Sequence, residues 1–206
     1  YCSQTHLYQQ GAPEMGLQPE PQIIIKPGSD PEVNHRRQKT LDELTNKCQG
    51  VTKNDDITPS LIAEVKGQKD VAWAAFIIEN EPEKKAKAIL ALNDPLLIYD
   101  TGTSLINNSA DGSFYEGALI PHPIANAAWS LLPCHIGIPC GLDNPYVKLQ
   151  CATRGECYND LPNLIFNENT VKFSPADRSQ IEALAKSIAE NIRNKNVAAF
   201  LPPSKK

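Results

Sequence analysis

Four cysteines packed into one short stretch constrain this chain more than any other feature. Cys134, Cys140, Cys151 and Cys157 fall within 24 residues, as C-x5-C, ten residues, then C-x5-C. Structural zinc takes short C-x2-4-C knuckles, which this spacing does not supply. Cys2 and Cys48 bring the total to six, an even number. An even set at these spacings reads as a disulfide framework, and hence as an oxidising compartment: periplasm, cell surface or secretion.

The two halves of the cluster share one grammar. A helix carrying Trp129 and Leu132 reaches Cys134, then Gly137, then Cys140; a helix carrying Tyr146, Val147 and Leu149 reaches Cys151, then Gly155, then Cys157. Each glycine can take positive φ and reverse the chain. Four cysteines allow three pairings. The shared grammar favours Cys134–Cys140 with Cys151–Cys157; the crossed pairing, Cys134–Cys151 with Cys140–Cys157, would staple two antiparallel helices. A Cys2–Cys48 bridge would pin the N-terminal arm to the first helix.

Around this cluster the chain reads as all-α: an irregular helical bundle or helical-hairpin array with disulfides in its C-terminal half. Residues 1–31 form an irregular arm, punctuated by Pro13, Pro19, Pro21, Pro27 and Pro31, with one possible strand at Gln22–Lys26. Residues 32–201 form a single helical domain and 202–206 a tail. Asp30-Pro31 opens the first helix, with Val33, Arg37, Leu41, Leu44 and Cys48 at helical spacing and Gly50 as its end. Further helices start at Thr58-Pro59, over Lys69–Glu79, at Pro82, at Asn93-Asp94-Pro95 (running to Ile106), at Pro123 (running to Ile136) and at Pro145 (ending at Arg154). Ser174-Pro175-Ala176-Asp177 reads as a capping box before an amphipathic stripe of Ile181, Leu184, Ala185, Ile188 and Ile192. Asn107–Gly117 reads as a polar loop.

The run Ala128-Trp129-Ser130-Leu131-Leu132-Pro133-Cys134, then Gly137, Cys140, Cys151, Gly155 and Cys157, then Ser174–Asp177, resembles a group of uncharacterised exported helical proteins of Gram-negative bacteria. The resemblance covers about residues 89–200 and leaves out the N-terminal third. It implies an all-helical, envelope-targeted domain and carries no activity with it.

Charge and hydropathy narrow the function classes. The formal net charge is −4, which argues against a nucleic-acid binder, since counterion displacement needs a basic face. The longest apolar runs, around Val71–Ile78 and Leu96–Tyr99, fall well short of the roughly 20 residues of a transmembrane helix. A start at Tyr1 without Met reads as a mature or trimmed product. Cys2 so near that start raises the question of lipidation, for which Tyr1 is a poor preceding residue.

The motif closest to catalysis is Asp100-Thr101-Gly102-Thr103, which matches the active-site loop of pepsin-like aspartic proteases. That chemistry needs two carboxylates sharing a proton; the second Asp-Thr-Gly is absent, so a dimer would have to supply it. His135 beside Cys134 raises a Cys–His pair, but neighbours on a helix point about 100° apart. His122, between Pro121 and Pro123, reads as a turn element. Asn107-Asn108-Ser109 is a glycosylation sequon, relevant only to a eukaryotic secretory route. Lys84, Lys85 and Lys87 read as a solvated face. There is no Gly-x-Gly-x-x-Gly, Walker loop, Gly-x-Ser-x-Gly or His-Glu-x-x-His, so no cofactor and no metal are expected. Phe114 and Tyr115, in the polar loop, are the candidate partner contacts. The reading is a non-catalytic, exported binding or scaffold protein of the bacterial envelope: a periplasmic accessory, adaptor or secretion-associated subunit, with another envelope or secreted protein as partner. The alternative is a secreted aspartic-protease-like hydrolase using Asp100 in a dimer.

Overall fold

The computed structural model describes residues 30–47, 81–106, 109–168 and 171–203. The expected arm and its strand, the helices at Thr58-Pro59 and Lys69–Glu79, and the Cys2–Cys48 bridge lie outside them. Of the described residues 66% are helical and 5% strand, so the fold is mostly helical, with two disulfides in the C-terminal half. The chain divides into two compact units, one of residues 1–61 with 141–161, the other of residues 62–140 with 162–206.

The described part of the first unit is built on two helices. Helix α1 spans Pro31–Lys47, opening as its sequence requires: Asp30 accepts from the Glu32 amide at 2.9 Å, and Pro31 spends no amide in the first turn. Its partner spans Pro145–Arg154 and packs against it. The buried Asn144 caps that partner, its Oδ1 accepting from the amides of Tyr146 (2.8 Å) and Val147 (3.1 Å). Gly155 ends it at φ +74, a left-handed cap that costs glycine little. Cys151 and Cys157 are bonded across this turn.

Two arginines of α1 reach the same turn. Arg36 donates to the carbonyl of Cys157 (3.1 Å), to Asn159 Oδ1 (3.0 Å) and to the carbonyl of Tyr158. Arg37 Nε donates to the Ala152 carbonyl at 2.9 Å. Guanidinium groups here meet the negative end of a helix dipole and its leftover carbonyls. Further along, Lys148 Nζ donates to Glu43 Oε2 at 2.8 Å and lies 3.1 Å from Asp143 Oδ1. The bond to Glu43 is the main cause holding its ammonium above the ordinary lysine range.

In the second unit, helix α2 spans Pro82–Leu90, α3 Pro95–Thr101 and α4 Thr103–Ile106. Strands β1 (Ser113–Tyr115) and β2 (Ala118–Ile120) pair antiparallel, with Phe114 opposite Leu119. Helix α5 spans His122–Leu131 and continues as a 3-10 turn over Leu132–His135. With the Pro145–Arg154 helix as α6, α7 spans Leu161–Glu168 and α8 Pro175–Arg193, and a 3-10 turn closes over Val197–Phe200.

The core of this unit lies between α5 and α8. Ala125, Ala128 and Leu131 of α5, and Ile181, Ala185, Ile188 and Ala189 of α8, are buried. Alanines on both helices keep these faces low, which suits close packing. The capping box forms in full: Asp177 N donates to Ser174 Oγ at 3.2 Å and Ser174 N to Asp177 Oδ2 at 2.8 Å. Phe166 and Phe173 meet edge to face, with Arg178 over the Phe166 ring.

Three expected boundaries move. The α5 helix stops short of Ile136, because Pro133 has no amide to donate and the backbone tightens into a 3-10 turn. The segment from Pro95 to Ile106 breaks at Gly102. Finally, part of the expected polar loop is a β-hairpin. Glu116 (φ 50) and Gly117 (φ 77) are both left-handed, the pair of positive angles a two-residue hairpin turn demands.

Candidate functional site

The hairpin turn carries a polar network in the second unit. Tyr115 leaves β1 toward the core: its ring packs edge to face on Phe200 with centroids 5.5 Å apart, and it is 4% exposed. Its hydroxyl lies 2.9 Å from Ser187 Oγ and accepts from Asn191 Nδ2 at 2.6 Å. The same Asn191 amide donates to Glu116 Oε1 at 2.8 Å, and Ser187 Oγ donates to that oxygen at 3.4 Å. Asn196 Nδ2 donates to Asn191 Oδ1 at 2.7 Å.

An amide nitrogen only donates and a carboxylate only accepts, so Asn191 supplies protons to both Tyr115 and Glu116, while the Tyr115 and Ser187 hydroxyls share a bond in which either can be the donor. Burial is the main cause pushing the Tyr115 hydroxyl above the ordinary tyrosine range, with the charges of Glu116 and Glu190 adding to it; the bonds to Ser187 and Asn191 oppose it. Glu116 sits in a backbone region that favours glycine. Its amide bond to the Ala199 carbonyl (2.8 Å) and its carboxylate bonds hold it there. The network thus fastens the hairpin to α8 and to the closing 3-10 turn.

The expected partner contacts separate. Tyr115 is not an exposed anchor, because the alternation of a strand turns it inward to the network. Phe114, its neighbour, points to the other face, where it is half-buried and stands opposite Leu119. Leu119 is 49% exposed. The hairpin therefore presents an apolar cross-strand pair, and Leu119 is the member that sequence reasoning missed. The signal was Ala118-Leu119-Ile120 after a Glu-Gly turn, weaker than the usual Asn-Gly.

Asp100 stands exposed in the last turn of α3. Burial, then the charge of Asp94, holds its carboxyl above the ordinary aspartate range. The Thr101 hydroxyl donates to the Leu97 carbonyl at 2.6 Å, a bond within the helix. Gly102 is buried under the Trp129 ring, and a Cβ there would lie 2.6 Å from two ring carbons and 2.5 Å from the Ile98 carbonyl oxygen. Trp129 is fixed from the other side as well: Nε1 donates to the Tyr99 carbonyl at 3.1 Å, and its ring stacks near-parallel to that of Tyr99. The Asp-Thr-Gly-Thr string here joins two helices, Asp100 and Thr101 ending α3 and Thr103 opening α4, and its glycine makes room for a tryptophan.

The remaining side chains with catalytic potential are spread out. Cys134 is bonded to Cys140, so it offers no thiolate to His135. His135 Nε2 lies 3.7 Å from Glu182 Oε2. Ser113 Oγ lies 3.4 Å from His122 Nδ1, but Ser113 is fully buried and out of a substrate's reach. Among the described residues no three His, Cys, Asp or Glu side chains are grouped to hold a metal ion, and no helix is long and apolar enough to cross a membrane. No protein-family model, curated protein or solved structure matches the chain.

Proposed function

We propose that the chain is a non-catalytic, exported binding or scaffold protein of the bacterial envelope, built as an irregular helical bundle or helical-hairpin array. In this reading it serves as a periplasmic accessory, adaptor or secretion-associated subunit, and its partner is another envelope or secreted protein. The observation that carries the reading is the outer face of the hairpin. There a polar network inside the unit holds Phe114 and Leu119 side by side, with Leu119 half in solvent. A rigid apolar side chain rimmed by polar surface costs little entropy to bury against a partner. Two disulfides suit an oxidising compartment.

The test compares proteins recovered with the wild-type chain and with Leu119→Glu from native envelope extracts. The expected result is a partner retained by wild type and by Lys186→Glu, an exposed site on α8, and lost with Leu119→Glu. Equal recovery with all three chains would remove the hairpin from the reading. No co-purifying protein under any growth condition would remove the reading itself.

A further inference from the structure

Among the described residues, α1 is joined to its unit by polar anchors, Arg36, Arg37 and Glu43. None of its described side chains is buried. Among the described residues its arginines donate to the carbonyls of Ala152, Cys157 and Tyr158 and to Asn159 Oδ1. All but the first lie after the end of α6, in a stretch with no regular structure. The Cys151–Cys157 bond ties the middle of that stretch back to α6, beyond the Gly155 amide that donates to the Cys151 carbonyl (3.1 Å) at its start. A guanidinium fork gains from acceptors held in place, and loses when they wander.

We propose that the Cys151–Cys157 disulfide is a redox latch for α1. Oxidised, it presents the acceptors of residues 157–159 to Arg36 and keeps that end of α1 docked; reduced, it lets them go and loosens α1, which keeps Arg37 on the Ala152 carbonyl and Glu43 on Lys148. A dithiol reductant opens the latch by thiol–disulfide exchange. Its thiolate attacks the sulfur of Cys157, the half-buried member of the pair, Cys151 being buried. A bond forms between that sulfur and the reductant. The Cys151–Cys157 bond breaks, and its electron pair leaves on the Cys151 sulfur, which takes a proton from water. The reductant's second thiol, giving up its proton, then displaces Cys157 and closes the reductant's own disulfide, and Cys157 is protonated in turn. Two electrons and two protons pass to the protein, and the dithiol is oxidised. Coupling of this kind is reciprocal: docked α1 protects the disulfide by the factor with which the disulfide holds α1.

The full-length chain tests both directions. In Cys151→Ser/Cys157→Ser, amide hydrogen exchange in α1 is expected to quicken roughly tenfold or more, with α8 unchanged, the size expected for losing one or two charge-assisted hydrogen bonds. In Arg36→Gln/Arg37→Gln, which keeps every cysteine, dithiothreitol is expected to make Cys151 and Cys157 alkylatable faster by a similar factor, with Cys134 and Cys140 unchanged. Unchanged α1 exchange, or α1 and α8 quickening together, overturns the latch. So does an unchanged reduction rate in the arginine variant, a result that holds even where the serine variant does not fold.

Discussion

Gly102→Ala is the substitution on which the reading of the Asp-Thr-Gly-Thr string turns. The new methyl would stand 2.6 Å from Cη2 and Cζ2 of Trp129 and 2.5 Å from the Ile98 carbonyl oxygen, nearly an ångström inside ordinary contact. Neither neighbour yields cheaply. The Trp129 ring is buried, bonded to the Tyr99 carbonyl and stacked beside the Tyr99 ring, and Ile98 O is backbone that already accepts from the Gly102 amide at 2.9 Å. Overpacking of this kind costs about 1–3 kcal/mol. The gain from replacing glycine, up to ~1 kcal/mol, offsets part of it. The net loss should be about 1–2 kcal/mol, moving a urea midpoint down by roughly 0.3–2 M at slopes of 1–3 kcal/mol/M. The control is Gly141→Ala, where the methyl meets nothing within 4 Å, and no loss is expected there.

Asp100→Asn completes that experiment. With an exposed side chain whose charge the fold disfavours, it should leave the midpoint where it is or raise it at neutral pH. Its folded pKa is raised, so the wild-type handicap grows as pH rises through the aspartate range and vanishes below it. A catalytic loop would invert the pattern, with Asp100 indispensable for cleavage and Gly102 judged by activity. Unfolding by urea with far-UV circular dichroism, beside a casein digest at acid pH, separates the two. Gly102→Ala as stable as wild type, or cleavage by wild type that Asp100→Asn abolishes, refutes the helical account.

Tyr115→Phe removes the hydroxyl that accepts from Asn191 and shares a hydrogen bond with Ser187, and should cost about 1–2 kcal/mol with faster amide exchange over residues 113–120; unchanged exchange there would mean the network does not hold the hairpin. In wild type the raised pKa of Tyr115 makes its contribution complete below about pH 10 and lost as pH rises through the folded value. Asp177 runs the opposite way: its bonds to Ser174 hold its carboxyl below the ordinary range, so the capping box contributes fully above about pH 4 and fades as pH falls through the folded value. Asp177→Asn should flatten that acid limb for exchange at the start of α8, and an equally steep limb in the variant would sink the assignment.

The elements most legible in sequence were those whose signals are local. Asp30-Pro31, Pro145 and Ser174–Asp177 marked helix starts that form as read, because a helix start is decided by one or two residues and the next three amides. The grammar of helix, glycine and second cysteine favoured the local pairs that form. What escaped depends on contacts far along the chain. The need for glycine at 102 comes from Trp129, whose ring leaves no room for a Cβ, and no periodicity around residue 102 announces it. The left-handed Glu116 is held by Asn191 and by the carbonyl of Ala199, more than seventy residues away. Without those partners a Glu-Gly pair is a weak hairpin signal, so the segment read as a polar loop. Helix α7 was missed because its apolar side is short, although Pro162 in its first turn was available as a start signal.

The repeated C-x5-C ending shows the same division from within. Its local geometry is common to both copies: a cysteine at the end of a helix, a glycine at positive φ (Gly137 at 92, Gly155 at 74), and a second cysteine six residues from the first. Closing so short a loop stabilises by about 2 kcal/mol at most on chain-entropy grounds, and each bond lies within one compact unit. The surroundings differ. Around the first copy, Leu132 and Pro133 are buried and the turn packs against α8, so apolar burial holds it whatever the state of its disulfide. Around the second, the turn is followed by carbonyls that Arg36 grips. Reduction should therefore be felt unequally: small at residues 132–140, where packing persists, and large at α1, where the bond orders the acceptors themselves.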